Sequence, residues 1–218
     1  MSMFVIEGAD GSGKATQSAL LTRRLTEIGC NTRLISFPAY DEPSSTLVKM
    51  YLNGDFGKDA NSVNPYSASL FYTVDRFATF AKDWGEFYRD GGIVICDRYT
   101  TANALHQAAK LQPDERKAFL DWLYDLEYNK VGLPKPDKVI YLAVPPEVSA
   151  KLTIGRKLKA QTDTDIHENL AFQRRTWESA QFVAQHGGWQ VVNCTDGDEM
   201  RSIESISDEI FGYVKACI

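Results

Sequence analysis

The chain has 218 residues, a length that can bury roughly 70% of its unfolded surface without disulfides or a structural metal. It carries 29 acidic and 24 basic residues and a formal net charge of −5. An acidic chain without a basic block is poorly suited to gripping a nucleic-acid backbone, so we expect no nucleic-acid partner. No apolar run approaches the length of a membrane span, so we expect no membrane partner and a cytoplasmic location.

Short apolar runs alternate with longer segments of helical periodicity. The apolar runs predict five strands, at residues 3–6, 32–37, 93–96, 138–144 and 189–192. The helical spacing predicts helices at residues 14–28, 45–53, 66–89, 101–130 (in two pieces), 147–153 and 166–185, and a last amphipathic helix. This alternation favours an α/β fold with three layers, in which a five-stranded parallel sheet is covered on both faces. Without repeats or a long linker, residues 1–218 are expected to form one domain.

A glycine-rich segment with the sequence GADGSGK runs from Gly8 to Lys14, directly after the first predicted strand. Its glycines let successive backbone N–H groups point at phosphate oxygens, and the following helix adds the positive end of its dipole. Lys14 adds a cation for the outer phosphates. The segment therefore predicts a phosphate-binding P-loop. The candidate ATP-binding residues are Gly8, Asp10, Gly11, Ser12, Gly13, Lys14, Ala15 and Thr16.

Ala15 stands where such loops usually place a serine or threonine that helps to hold Mg²⁺. Thr16 supplies a hydroxyl one residue later, and Mg²⁺ can be held largely by water and nucleotide phosphates. We therefore interpret the loop as that of a nucleotide kinase. Mg²⁺ is the expected cofactor, ATP is the expected donor, and Thr16 and Asp97 are the candidate metal residues.

Two arginine-containing motifs are candidates for binding the acceptor. Asp97-Arg98-Tyr99 follows the third strand, at the sheet edge where open parallel sheets bind ligands. Arg98 could hold a phosphate in a bidentate grip. Tyr72 and Arg76 are four residues apart and share a helix face, which places an aromatic ring beside a guanidinium and suits a nucleobase.

On these motifs the chain resembles the thymidylate kinase family, whose members phosphorylate dTMP to dTDP with ATP and supply dTTP synthesis. The motifs are Glu7-Gly8-x-Asp10-Gly11-Ser12-Gly13-Lys14-x-Thr16-Gln17, Tyr72 with Arg76, and Asp97-Arg98-Tyr99 followed by Thr100, Thr101 and Gln107. The resemblance covers essentially the whole chain. It implies a P-loop NTPase fold with a mobile lid and a homodimer. It also implies that dTMP is bound by Asp10, Phe37, Tyr72, Arg76, Arg98, Thr101 and Gln107.

The resemblance also implies a role for most of these side chains. Asp10 would approach the sugar 3′-hydroxyl, Tyr72 would stack on thymine and Arg76 would hydrogen-bond it. Arg98 would grip the acceptor phosphate, and Thr101 and Gln107 would line the base and sugar pocket. Because Gly11 follows Asp10, the lid at about residues 154–166 would supply catalytic cations. The implied catalytic residues are Lys14, Arg98, Asp10, Arg156 and Lys157, with Lys159 as a further candidate.

One departure from the family concerns the segment after the second strand. Many relatives have an arginine there, whereas this chain reads FPAYDEPS from Phe37 to Ser44. Either Arg98 carries more of the acceptor phosphate, or Ser44, Ser45 or Lys49 contributes.

Two other functions remain open at this point. A deoxynucleoside kinase would phosphorylate a neutral hydroxyl and benefit from a carboxylate base, for which Asp41 or Glu42 could serve. A nucleotide-binding regulatory protein would bind without appreciable turnover. A nucleoside monophosphate needs no base, because its phosphate is already ionised at neutral pH. The three histidines have no evident partners in the sequence.

Overall fold

The predicted strands form one parallel sheet in a computed structural model that describes residues 1–150, 152 and 170–218. The spatial order is β2-β3-β1-β4-β5, and each neighbouring pair is parallel. The strands are β1 (Ser2–Gly8), β2 (Thr32–Ser36), β3 (Ile93–Asp97), β4 (Lys138–Ala143) and β5 (Gln190–Asn193). The prediction of a five-stranded parallel sheet is therefore confirmed. The lid predicted at residues 154–166 lies outside the described residues.

Helices flank this sheet and connect its strands, as parallel pairing requires. They include α1 (Lys14–Glu27), α2 (Thr46–Leu52), α3 (Pro65–Thr79), α4 (Gly85–Arg89), α5 (Thr100–Ala108), α6 (Arg116–Tyr124), α7 (Leu170–Gly187) and α8 (Ile203–Lys215). The single helix predicted over residues 66–89 is instead α3 and α4 joined by a π-helical turn, Phe80–Trp84. A second π-helical turn, Asp125–Lys130, follows α6. Apolar spacing alone does not reveal such turns, because they change the hydrogen-bond register and not the residue types. The described residues also include a small antiparallel hairpin that the sequence did not predict, Thr195–Asp196 with Glu199–Met200.

The central strand β1 is buried on both faces. Phe4 and Ile6 pack with α1 and α8 on one face of the sheet. Met3 and Val5 pack on the other face, in a cluster that includes Trp84. This two-sided burial explains why β1 is a continuous apolar run rather than an alternating one. It also fixes the P-loop, which begins where β1 ends.

A buried charged network ties α3 to α5 and to the second π-helical turn. Glu127 and Arg76 are each at most 1% exposed and form an ion pair, in which Arg76 Nε donates to Glu127 Oε2 at 2.8 Å. Glu127 also accepts hydrogen bonds from the hydroxyls of Thr73, at 2.9 Å, and Thr100, at 2.5 Å. A buried charge is tolerated when its partners satisfy it, and these contacts satisfy both carboxylate oxygens.

None of the helices in residues 1–150, 152 and 170–218 is long and apolar enough to cross a bilayer. The single-domain organisation of residues 1–218 stays a prediction.

We expect Glu127→Met to lower the free energy of unfolding by about 3–5 kcal/mol, because it leaves the Arg76 guanidinium buried without a counter-ion. Urea denaturation measures this change. The matched control is Lys117→Ala, which breaks the exposed Lys117–Asp121 pair and should cost less than about 1 kcal/mol.

A double variant separates the lost charge partner from lost packing. Replacing both Arg76 and Glu127 with methionine removes both charges, so we expect it to be less destabilising than Glu127→Met alone. A double variant as unstable as the single one, or less stable, would contradict this account of the network.

Candidate active site

The P-loop owes its shape to glycines that adopt backbone angles unfavourable for other residues. Gly8 has φ 156° and Gly11 has φ 84°. A Cβ on Gly8 would lie 2.5 Å from Ser12 Oγ and 3.0 Å from the Leu142 carbonyl oxygen, so the loop cannot curl over β4 with a larger residue there. The Ser12 hydroxyl is buried and has no hydrogen-bond partner among the described residues. An anion in the loop would satisfy it.

The start of α1 is similarly prepared for an anion. Its N-cap residue is Gly13, with φ 89°, and no side chain caps its first N–H groups. Helix α1 has no acidic residue in its first turn. Unpaired N–H groups and the helix dipole therefore face the loop with no competing carboxylate from that turn.

Lys14 is buried within the loop. Its Nζ donates to the Ala9 carbonyl oxygen at 2.8 Å and lies 3.9 Å from Asp10 Oδ1. Burial, with the nearby Arg98, lowers the pKa of Lys14 to about 8. A bound phosphate would favour the charged amine, because an opposite charge at close range raises the pKa of an amine. The neighbouring side chains of Ala15 and Thr16 are exposed.

Arg98 stands at the adjacent strand end, since Ile6 of β1 is paired with Asp97 of β3. Its guanidinium forms an ion pair with Asp10 of the P-loop. Burial alone would lower the pKa of Arg98, but Asp10, Glu7, Asp97 and Tyr40 together raise it above its usual value. Arg98 therefore stays a cation at any physiological pH.

His106 contacts Arg98, which the sequence did not indicate. Its Nε2 lies 3.2 Å from Arg98 Nη1. A guanidinium only donates, so Nε2 is the acceptor and the neutral ring is the form that makes this contact. The two residues are eight positions apart, on either side of the α5 start, and residue spacing did not suggest that they meet.

A cavity beside the P-loop collects several of the predicted acceptor residues. We call it the acceptor cavity, and it is lined by Asp10, Pro38, Tyr40, Leu52, Tyr72, Arg98, Ala102, Asn103, His106 and Gln107. The Tyr72 ring is held edge-on against Tyr51, with centroids 6.3 Å apart. The Gln107 side chain is buried, and its carbonyl oxygen has no hydrogen-bond partner in the part of the chain described. An aromatic plate and an unsatisfied amide therefore occupy the same cavity.

Three residues predicted to bind the acceptor do not line this cavity. Arg76 is buried and committed to Glu127, because a charge enclosed this deeply requires a counter-ion. The Thr101 hydroxyl donates to Glu7 Oε1 at 3.1 Å. The Phe37 ring packs against Tyr99, with the two ring centroids 5.8 Å apart. Helical spacing identified which residues share a face, but not what lies opposite that face.

The segment after β2 is held by Asp75 rather than by an arginine. Asp75 accepts from the Ala39 N–H at 2.8 Å and from the Ser44 hydroxyl at 2.6 Å. The Ser45 hydroxyl donates to the Glu42 carbonyl oxygen at 2.8 Å. Both serines suggested as substitutes for the missing arginine are thus engaged in local structure.

Lys49 and Tyr40 remain near the cavity on this side. Lys49 Nζ donates to the Tyr40 carbonyl oxygen at 2.8 Å, and Tyr40 itself lines the cavity. The half-exposed phenol of Tyr40 is a functional candidate that residue type alone does not reveal.

The two candidate metal residues, Thr16 and Asp97, belong to different secondary-structure elements. Asp97 ends β3 and is partly buried, whereas Thr16 lies exposed in the first turn of α1. The described residues contain no group of three His, Cys, Asp or Glu side chains that could hold a metal ion. Arg156, Lys157 and Lys159 lie outside the described residues.

Comparison with known proteins gives one consistent family. The family model for thymidylate kinase matches residues 6–210. Thymidylate kinase from Mycobacterium tuberculosis is 30% identical over 196 residues, spanning 87% of this chain and 90% of the relative. Thymidylate kinase from Thermomicrobium roseum is 32% identical over 199 residues, spanning 89% and 88%.

A solved structure of thymidylate kinase from Candida albicans has a similar fold, with a TM-score of 0.73. It covers 99% of this chain and 91% of its own, at 21% identity. At that identity the likeness supports the P-loop NTPase fold, while the family assignment rests on the sequence matches. Because those matches extend over most of both partners, this chain belongs to the thymidylate kinase family.

Proposed function

We infer that this chain transfers the γ-phosphoryl group of ATP to dTMP, forming dTDP for dTTP synthesis. This is the reaction of the family to which it belongs. The observation that carries the proposal is the adjacency of two anion sites, because the P-loop with Lys14 and the cavity with Arg98 share Asp10. The main barrier to this reaction is bringing two anions together in line, and fixed cations with backbone amides lower it.

Asp10 would exchange partners when the acceptor binds. In the structure its carboxylate is the counter-ion of Arg98. An acceptor phosphate would compete for the guanidinium in a bidentate grip, because phosphate carries more charge than a carboxylate. Asp10 would then be released to approach the sugar 3′-hydroxyl, as proposed from the family resemblance.

Base recognition is proposed for Tyr72 and Gln107. The Tyr72 ring offers a stacking surface, and the unsatisfied Gln107 carbonyl oxygen can accept the N3–H of thymine. Arg76 is not proposed to read the base directly, since its guanidinium is buried against Glu127. It would support the pocket through α3, which carries Tyr72.

Mg²⁺ is proposed as the cofactor, with Thr16 and Asp97 as the residues that would hold it or its waters. When bound, it neutralises phosphate charge during transfer. Arg156 and Lys157 remain proposed catalytic cations from a lid, and the cytoplasmic location also stays a prediction.

The deoxynucleoside kinase alternative is less well supported by the geometry. Its candidate bases, Asp41 and Glu42, do not line the acceptor cavity. Glu42 Oε2 instead lies 3.4 Å from Lys82 Nζ, and neither residue lines the acceptor cavity. A neutral hydroxyl acceptor would also have no need of the Arg98 cation.

A homodimer is proposed through α3. Four large apolar side chains along this helix, each 39–51% exposed, are Tyr66, Leu70, Val74 and Phe77. Their spacing of four, four and three residues places them on one face. An exposed apolar stripe of this kind is typical of a protein interface, and a second copy of the chain would present the same stripe.

We expect Arg98→Ala to reduce kcat/KM for dTMP by about a hundredfold or more, with a change of less than about threefold in ATP affinity.

Lys14→Met should abolish transfer while the protein stays folded, because it removes the cation at the donor phosphates. Steady-state kinetics and circular dichroism measure both variants. Equal losses for the two substrates in Arg98→Ala would count against the assigned role.

We expect the protein to prefer dTMP over dCMP, dAMP and dGMP and to leave thymidine almost unphosphorylated, since only an anionic acceptor uses Arg98. A coupled ADP-release assay over this panel, with ATP and Mg²⁺, measures the preference. Gln107→Leu should raise KM for dTMP about tenfold, because it removes the acceptor for N3–H. Turnover of thymidine at the dTMP rate would favour the deoxynucleoside kinase, and ADP release independent of acceptor would refute the assignment.

We expect the wild-type protein to be a dimer in solution and Val74→Asp to shift it towards monomer, because the substitution places a charge in the apolar stripe. Sedimentation equilibrium measures the mass. Ile203→Asp is the matched control, since Ile203 is also 51% exposed but lies on α8. A monomeric wild type, or equal dissociation of both variants, would rule out this interface.

A further inference from the structure

Glu7 is a fully buried carboxylate to which the proposed reaction assigns no role. It is the next-to-last residue of β1 and directly precedes the P-loop glycine, Gly8. By the alternation of side chains along a strand it faces the same side of the sheet as Met3 and Val5. That side is covered by the chain that leaves β3 and enters α5.

Two groups from that chain donate to one oxygen of Glu7. The Tyr99 N–H lies 3.3 Å from Glu7 Oε1, and the Thr101 hydroxyl lies 3.1 Å from the same atom. Tyr99 is the N-cap residue of α5, and it provides no side-chain cap for the helix. Glu7 therefore supplies, from a different strand, an acceptor at a helix start that has none of its own. A carboxylate also suits the positive end of a helix dipole.

The residue directly before these two contacts is Arg98, and its backbone is in an unusual conformation. Arg98 has φ 67°, and among the described residues no other non-glycine residue has a positive φ. Such a conformation persists only when its surroundings enforce it. Here β1 holds it from both sides, because the Arg98 N–H donates to the Ile6 carbonyl oxygen at 3.2 Å and the Tyr99 N–H donates to Glu7.

The cost of burying Glu7 argues that the carboxyl is kept for a reason. Its Oε2 has no hydrogen-bond partner in residues 1–150, 152 and 170–218. Burial raises the pKa of Glu7 to about 7, against the lowering effect of the Arg98 and Lys14 cations. A core position that needed only volume would be better filled by an apolar side chain.

We propose that Glu7 is a positioning residue, which holds Arg98 and the start of α5 in register with the P-loop through its Oε1 hydrogen bonds. The proposal rests on the proposed role of Arg98 in gripping the acceptor phosphate.

The consequence for the reaction follows from chain connectivity. The donor loop begins one residue after Glu7, and α5 contributes Ala102, Asn103, His106 and Gln107 to the acceptor cavity. One side chain thus fixes the separation between the donor loop and the acceptor wall. In-line transfer is sensitive to that separation, since a misplacement of about 1 Å can cost a hundredfold in rate.

Three variants test the hydrogen bonds separately from the charge. Glu7→Ala removes the acceptor, and we expect kcat/KM for dTMP to fall about 10- to 100-fold while KM for ATP changes by less than about threefold. Glu7→Gln keeps a carbonyl oxygen for the same two donors, so dTMP turnover should stay within about threefold of wild type. Thr101→Val removes one donor at constant shape and should give a smaller loss, about 3- to 10-fold, in the same parameter.

The matched control is Thr79→Val. Thr79 is also a buried threonine, but its hydroxyl donates only within its own helix, to the Asp75 and Arg76 carbonyl oxygens. A purely structural effect would lower the melting temperature and the active fraction in all variants without changing KM for dTMP. If Glu7→Ala fails to fold, the Thr101→Val and Glu7→Gln kinetics still decide the proposal.

The outcomes separate this inference from the proposed function. Loss of dTMP use in Arg98→Ala, together with wild-type dTMP kinetics in Glu7→Ala or in Thr101→Val, would overturn the role of Glu7 alone. An equal loss in Glu7→Gln and Glu7→Ala would also overturn it, since the charge and not the hydrogen bonds would then matter. Unimpaired dTMP use in Arg98→Ala would overturn the proposed role of Arg98 itself, whatever the Glu7 variants do.

Discussion

The site depends on one carboxylate that two cations share. Asp10 forms an ion pair with Arg98 and lies 3.9 Å from Lys14, so it stands between the donor loop and the acceptor cavity. Two neighbouring cations repel each other, and a counter-ion between them makes the arrangement tolerable. A carboxylate is nevertheless a weaker partner than a phosphate. An arriving phosphate would therefore replace part of what Asp10 supplies to Lys14 and Arg98.

Unlike the partly exposed Asp10, Glu127 and Glu7 are fully buried carboxylates, and they show how the same group serves different ends. Glu127 is saturated, because Arg76, Thr73 and Thr100 together satisfy both of its oxygens, and it joins three segments of the core. Glu7 has donors on one oxygen only, and the other is left without a partner in the described chain. Removing one member of the saturated pair is costly, because it leaves the other member buried without a partner. A half-satisfied carboxyl contributes little stability, so its value lies in the geometry that its two hydrogen bonds impose on Arg98 and α5.

The sequence predicted features that depend on neighbouring residues, but it did not indicate the contacts that form between distant ones. The five strands, the P-loop and the Asp97-Arg98-Tyr99 corner are local patterns, and all appear where expected. Arg76 was predicted to face a ligand because it shares a helix face with Tyr72, yet Glu127, 51 residues away, occupies that space. The Thr101 hydroxyl similarly donates a hydrogen bond to Glu7, which is 94 residues away in the chain. His106 and Tyr40 joined the cavity without any local signal, because only the packing of α5 and the loop after β2 brings them there.

The missing arginine after β2 gives the placement of Arg98 added weight. Asp75 holds that loop through the Ala39 N–H and Ser44, so its fold does not need a cation. Lys49 reaches the Tyr40 carbonyl oxygen but does not line the cavity, which leaves Arg98 as the one cation in the cavity lining among the described residues, apart from the ionisable His106. A site that grips an anion with several cations tolerates an error in any one of them. Because Arg98 is the one arginine in this described lining, its position has to be held firmly, and the buried Glu7 acceptor at the adjacent Tyr99 N–H is a physical means of doing so.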